Sequence, residues 1–390
     1  MANWLNRNVL LISFSAFFSD FGYQAVLAAL PVFLVIALHA PVYVFGFVVG
    51  VSYGGGSVLA YIGGRLSDRY GRKKITILGN ALIPLLSLSG IAATVYEAGA
   101  LFSSGWLFRN FRTPARRALL SEESTPKTSS RIFGFLNALD VGGGVLSVSV
   151  MLLLLYLGVG LGEIILLSAL PITLATVLLL FVRKRSASLP SASKKLPSVR
   201  RSKSSSSAYI GLLAATALFG FSFYSLGFPI LTIAQSQGSN SLGFAAYAVF
   251  LLASALFGYY IGSRRLRLVR SLGLLGYILS AAGAMLLGIA YIWNLGIVGM
   301  YVAVIIIGMA IGTIDTLEPS MITKIKPEHE TGRVMGALSG WRSVGLFSGN
   351  IIMGALYYLS PFYSYAYAAG TALLAGVLLL YFGRRFRDRI

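Results

Sequence analysis

The sequence predicts an all-α membrane protein: twelve transmembrane helices in two pseudo-symmetric six-helix bundles, with both termini in the cytoplasm. Three observations predict it. Of the 390 residues, 56% are hydrophobic and only 11% are charged, against about 25% charged in soluble proteins. Apolar runs of about 20 residues, the length that crosses a bilayer as a helix, recur from end to end. The cations gather in the segments between alternate runs. In lipid every backbone polar group must be satisfied within its own segment, so the runs are helices. A β-barrel would alternate over strands of about 10 residues, a pattern the chain lacks. The first run is expected to stay in place rather than act as a cleaved leader, because eleven more runs follow.

The spans fall roughly at 9–37, 41–64, 75–94, 98–118, 131–158 and 161–182 in the first half. In the second they fall at 208–235, 242–262, 271–293, 295–318, 333–358 and 361–382. With the N-terminus in the cytoplasm, the connections holding Arg65 to Lys74, Arg112 to Arg131, Arg183 to Lys203, Arg264 to Arg270 and Lys324 to Arg333 all lie inside. Of 32 Lys+Arg, all but Arg109 and Arg342 then fall on the cytoplasmic side, and the external loops carry only His39, Glu97 and Glu163. This is the positive-inside pattern. It turns the net charge of +20 into a topology signal and removes nucleic acid as a partner. The expected location is the plasma membrane, with anionic lipid headgroups at the cytoplasmic face, and a monomer is expected. There is no cysteine, and the two histidines, His39 and His329, lie on opposite sides, so neither thiol chemistry nor a paired-histidine metal site is expected.

The stretch 183–207, "RKRSASLPSASKKLPSVRRSKSSSS", is the one long hydrophilic segment. Its Ser, Pro and basic residues read as a flexible linker near lipid headgroups. It separates an N-terminal bundle, 1–182, from a C-terminal bundle, 208–390. The halves echo each other: Gly46 to Gly64 against Gly243 to Gly262, and "RIFGFLNALD" from Arg131 against "RVMGALSGWR" from Arg333. Two six-helix repeats joined by a linker are transporter architecture, with a site between halves that rock about it.

Between the second and third spans stands "GRLSDRYGRKK", Gly64 to Lys74. It resembles the loop-2/3 signature of the major facilitator superfamily, G-x-L-a-D-r-x-G-r-k-x, with Gly64, Leu66, Asp68, Arg69, Gly71, Arg72 and Lys73 in place. The resemblance covers the whole chain and extends to a prokaryotic twelve-span branch of drug–proton exporters. "FRNFRTPARRALL" in span 4 puts Arg109 at the family's mid-span arginine, and Asp20, Gly22 and Pro31 resemble the exporters' D-x-G…P in span 1. In span 5 the exporters' G-x-x-x-G-P-x-x-G is replaced by "DVGGGVLSVS", which keeps the glycines and lacks the proline.

Physically, Gly64 would let two helix ends approach, Gly71 would make the turn, and Asp68 is a carboxylate among five cations. Such an acid is favoured at a helix N-terminus, and the resemblance implies that Asp68 meets the start of span 11. The loop, with Arg69, Arg72, Arg112 and Arg333, is thus expected to latch the cytoplasmic side in one of two states. The second-half loop "GSRRLRLVR" keeps the cations and lacks the acid. There Arg264 and Arg265 are expected to meet Asp315 and Glu318 as a second gate.

Ionisable residues inside a membrane are costly and usually pair, face water or work. Asp20 lies near mid-depth, with Tyr23, Gln24 and Leu27 continuing its helical face. Burial favours a protonated carboxyl and a nearby guanidinium favours an ionised one, so an acid beside Arg109 can exchange protons as a cavity turns. Asp20 is therefore the expected proton carrier and Arg109 its tuner. Asp140, with Asn137 and Gly144 on its face, is the second candidate; Asp140 and Arg342 could instead form a lasting ion pair or a network in the cytoplasmic half. Tyr224 is expected at the cavity wall with other aromatics. A proton gradient is the expected driving force, with no bound cofactor or metal.

The function these readings predict is secondary active transport by alternating access: export of a small amphipathic compound by proton antiport, or uptake of a small nutrient or ion by proton symport. A sensor on the same fold is a third class. A membrane enzyme would need a nucleophile–base set, a metal cluster or a phosphate loop, and the chain has none.

Overall fold

The computed structural model describes residues 4–125, 128–183, 205–222, 224–264, 266–325 and 328–383, with the backbone alone at 130, 205–213, 319–325 and 328–341. Twelve helical passes run through them. In the first half these are α1 (Arg7–Ala37), α2 (Val42–Tyr70), α3 (Arg72–Ile91), α4 (Val95–Ser121), α5 (Ser129–Tyr156) and α6 (Leu161–Leu180). In the second half, α7 comes in two pieces (Ser205–Ser222 and Gly227–Gln237). It is followed by α8 (Asn240–Gly262), α9 (Leu268–Ile292), α10 (Gly296–Ile325), α11 (Glu328–Leu359) and α12 (Pro361–Gly383). Ten of the twelve are long and apolar enough to span a membrane by composition alone. α4 is not among them, because it carries Arg109, Arg112, Arg116 and Arg117. It runs three residues past the expected end near 118, to Ser121.

Local chemistry sets the ends. Asn6 accepts the Val9 amide at 2.9 Å and starts α1. Pro31 cannot donate to the helix ladder, and the last turn of α1, Phe33–Ala37, is wound wider than an α-helix. Thr94 and Glu97 cap α4 reciprocally, Glu97 N to Thr94 Oγ1 and Thr94 N to Glu97 Oε2, both at 3.2 Å. Gly71 takes φ +99°, a conformation open to glycine, and turns the chain from α2 directly into α3.

The halves repeat their packing. In the first, α1 lies against α5 and α6, α2 against α4, and α3 against α4 and α6; in the second, α7 lies against α11 and α12, α8 against α10, and α9 against α10 and α12. Each pair recurs six helices later. Between the halves, α2 packs on α11 and α5 on α8, again related pairs, while α1 meets α7.

That interface is built at one end. At the end bearing the Pro41 loop, the rings of Tyr43 and Tyr358 stand 5.6 Å apart and those of Phe45 and Phe228 5.2 Å apart. A Cβ on Gly46 would sit 2.6 Å from the Asn350 carbonyl oxygen and 2.8 Å from Gly354 Cα, so the α2 and α11 backbones touch. Further along α2, Ser343 donates to Ser57. Among the described residues, no hydrogen bond or ring contact joins the halves between this point and the Gly71 end.

Candidate functional site

α1 and α4 build a buried polar chain. Asp20 is 5% exposed. The Tyr23 hydroxyl, one turn on, donates to Asp20 Oδ1, and Arg109 Nη2 donates to the Tyr23 hydroxyl at 3.1 Å. The guanidinium also lies over the Tyr23 ring, 5.0 Å from its centroid, and over the Trp106 ring at 4.6 Å. Stacking of this kind holds a cation in a weakly solvated place. Asp20 Oδ2 and Arg109 Nε are buried and have no hydrogen-bond partner among the described residues.

Arg109 reaches a cavity of about 390 Å³ between the halves. Gln24, Tyr53 and Trp106 line it from the first half; Tyr224, Tyr247 and Asp315 are among those lining it from the second. Tyr247 closes one wall by donating to Gln24 Oε1 at 2.6 Å across the interface. The volume lies at the lower end of the range for small-molecule sites, about 300–1,000 Å³. Asn137, by contrast, is exposed and outside the cavity wall.

The remaining charges pair differently from expectation. Asp140 pairs with Arg116 at 3.4 Å, and Arg342 with Glu318 at 3.1 Å; an Asp140–Arg342 pair does not form. Each bridge ties adjacent helices of one hairpin, which places the partners closer than the opposite half could. Glu318 and Asp315 therefore do not meet Arg264: the Arg264 guanidinium lies 5.0 Å from the Tyr260 ring centroid, Asp315 faces the cavity, and Arg265 lies outside the described residues.

Arg112, expected at the latch, is wholly buried. It donates to Ser19 Oγ at 2.8 Å and to Asn80 Oδ1, while Asn80 Nδ2 donates to Thr176 Oγ1 at 2.7 Å. Its position follows from the inner turns of α4 packing closely on α3, where a Cβ on Gly79 would stand 2.9 Å from Arg112 Cβ. This knot ties α1, α3, α4 and α6 together, and Asn80, the one amide side chain in an apolar run, was the sequence signal for it.

At the hairpin, Asp68 and Arg69 are exposed. Asp68 has no hydrogen bond or ion pair among the described residues, and Arg69 lies over the Tyr70 ring at 5.3 Å. Arg72 pairs with Glu122 at 3.0 Å within its own half. The side chain of Arg333, and those of the first turns of α11, lie outside the described residues. The close approach expected at Gly64 occurs one residue earlier. A Cβ on Gly64 would stand an ordinary 3.8 Å from Pro114, whereas one on Gly63 would collide with the Phe111 carbonyl.

Known proteins share this architecture. An uncharacterized MFS-type transporter of Methanocaldococcus jannaschii is 26% identical over 390 residues, covering 97% of this chain and 95% of the relative. A POT family transporter solved with a thioalcohol-conjugated peptide superposes with a TM-score of 0.78 at 14% identity, over 98% of this chain and 97% of that one. The nucleoside transporter NupG superposes at 0.72 and 12% identity, over 98% and 100%. These likenesses show the fold. The family described as the Major Facilitator Superfamily matches residues 12–345 and 210–389, and the chain belongs to it, as a multi-pass integral membrane transporter and not an enzyme.

Proposed function

We propose that the protein is a proton-coupled secondary transporter that moves a small solute by alternating access. The observation that carries this is the unbroken contact from Asp20 through Tyr23 to Arg109 at the cavity wall. A proton on Asp20 and a solute in the cavity share one guanidinium, and two ligands that share a charged group are coupled in free energy. Asp20 is the proton carrier in this reading, Arg109 the group that senses the solute, and Tyr23 the link. Contacts between the halves at the Pro41 end correspond to a conformer closed on that side; with the positive-inside topology it faces the cytoplasm of a plasma membrane. The hydrophilic stretch 183–207 is read as the linker between bundles 1–182 and 208–390.

Export of a small amphipathic compound by antiport is supported by the D-x-G…P pattern of α1 and by the aromatic cavity wall of Tyr53, Trp106, Tyr224 and Tyr247. Uptake by symport is a second reading, favoured by one contact. An anionic solute group on Arg109 would bring a second negative charge near Asp20, which reaches the guanidinium through Tyr23, and a proton on Asp20 removes that repulsion, so proton and anion enter together. Relatives of the fold solved with a peptide or named as nucleoside transporters make a small polar solute reasonable.

Proteoliposomes holding a trapped pH dye separate these readings. A solute panel is applied with and without an imposed pH gradient: antiport and symport move protons in opposite senses relative to the solute. Asp20→Asn is expected to abolish gradient-driven flux while solute exchange persists. Gradient-driven flux unchanged in Asp20→Asn removes Asp20 from the mechanism.

A further inference from the structure

Two charged residues, Arg109 and Asp315, are found among those lining the cavity. They come from opposite halves, on α4 and α10, which occupy matching places in the two bundles. One offset of 202 residues relates Arg116 to Glu318 and Asp140 to Arg342. The same offset carries Arg109 to position 311, one turn from Asp315 and also on the cavity wall. The cation and the acid therefore flank the space from near-equivalent positions.

Neither is held in an ion pair among the described residues. Among the described residues Arg109 has no carboxylate within ion-pair distance; it gives one hydrogen bond to Tyr23 and keeps a buried Nε without a partner. Among the described residues Asp315 has no hydrogen bond and no ion pair, and it is exposed and lines the cavity. The rest of the wall mixes aromatic and apolar side chains, among them Trp106, Tyr53, Phe250 and Ile311, with uncharged polar ones such as Gln24 and Ser280. The buried Tyr224 hydroxyl, also at the wall, has no hydrogen-bond partner among the described residues either.

Resting on the reading of this cavity as the transport site, we infer that the solute is a small zwitterion, with its anionic group on Arg109 and its cationic group on Asp315. A solute with one charge would satisfy one residue and be repelled by the other. A neutral apolar solute would strip water from both charges and pair neither, which is costly in a closed site. A carboxylate can take two parallel hydrogen bonds from a guanidinium, and an ammonium matches a lone carboxylate. The cavity volume limits the molecule to the size of an amino acid or a short peptide.

The experiment measures binding at equilibrium, without any gradient, on the purified full chain. The probes are leucine and alanyl-alanine, each in four forms: the zwitterion, the N-acetyl anion, the C-terminal amide cation, and the doubly blocked neutral form. Apparent affinity is read from ligand-induced shifts in melting temperature over a concentration series. At least one zwitterion is expected to bind, and blocking either end is expected to weaken it by about tenfold or more. Asp315→Asn should lose the preference for the zwitterion and bind the N-acetyl form as well or better. Arg109→Gln should do the same for the amide. Asp315→Glu and Arg109→Lys, which keep the charges, should retain part of the zwitterion preference and guard against simple misfolding.

No zwitterion binding in either series, a blocked form binding as tightly as its zwitterion, or Asp315→Asn with the full wild-type preference would each overturn the inference. The proton-coupling reading is judged separately by the behaviour of Asp20→Asn in vesicles, so either can fail alone.

Discussion

Glu318 on α10 and Arg342 on α11 pair at 3.1 Å, 24 positions apart, with side chains 4% and 22% exposed. Arg116 on α4 and Asp140 on α5 form the matching bridge at 3.4 Å, also 24 positions apart, with the signs reversed. The recurring feature is an opposite-charge bridge across one helical hairpin, in either polarity. Such a bridge lets a hairpin carry charge through a region where a lone charge would be costly.

The reversal makes a direct prediction. Glu318→Gln removes the carboxylate from a mostly buried guanidinium, and breaking a buried pair costs about 3–5 kcal/mol. Its partial exposure puts Arg342 near the low end, about 3 kcal/mol. Purified Glu318→Gln should melt well below wild type. The double exchange Glu318→Arg with Arg342→Glu should recover most of the loss, because the first half accommodates that polarity. A double variant no better than the single one would refute the equivalence of the two bridges.

Asn80 anchors the buried knot around Arg112. Asn80→Ala takes an acceptor from a fully buried guanidinium and the Nδ2 donor from Thr176 Oγ1. Leaving buried polar groups unsatisfied costs about 1–3 kcal/mol each. The expected result is a lower melting temperature with little change in apparent solute affinity, since the knot lies outside the cavity wall. A large change in affinity at wild-type stability would contradict this placement.

Gly46→Leu tests the interface at the Pro41 end. The new side chain would start 2.6 Å from the Asn350 carbonyl oxygen, and rigid backbone cannot yield that space locally. The variant should insert but favour conformers in which α2 and α11 separate at this end. Because the chain has no cysteine, a cysteine pair at Tyr43 and Tyr358 gives a clean reading: crosslinking should be rapid in the parent and slow when Gly46 is Leu. Equal rates would show that the contact does not hold this end closed.

Asp68→Asn should leave the stability of this conformer unchanged, because among the described residues the exposed Asp68 makes no hydrogen bond or ion pair. If the hairpin latches in the opposite conformer, the same change should slow transport severely. Normal transport would end the latch reading.

Much of the fold was legible because lipid imposes one solution on each apolar run. Most of the twelve passes sit within a few residues of the runs; the larger departures are at cytoplasmic ends, where α2 runs on to Tyr70, α10 to Ile325 and α11 begins at Glu328, because a helix can continue past the apolar run once charged side chains reach water. Within α4, Arg112 and Arg116 are tolerated because neighbours supply Ser19, Asn80 and Asp140 as partners. The break in α7 before Gly227 left no comparable signal. In the site, Asp20, Tyr23 and Arg109 could be read from helical faces and from the cost of charge in a membrane. Partner choice could not. Asp140 and Arg342 invite each other by sign, yet hairpin neighbours took both, and Asp315 turned toward the cavity. Periodicity places a residue on a face; which element that face meets is decided by packing between distant segments.

The backbone contact of Gly46 with Gly354 has a mechanical consequence. Close packing on α11 continues along α2 through Gly50 and Gly54 to Ser57, and the helix then runs on 11 residues to Asp68, roughly 16 Å at 1.5 Å per residue. If the end of this seam acts as a fulcrum, a tilt of about 10° there swings the far tip of the arm by roughly 3 Å at that rise per residue, enough to make or break an ion pair at the hairpin. Small residues along the seam would thus give leverage to a charged loop at the far rim, with no need for any helix to bend.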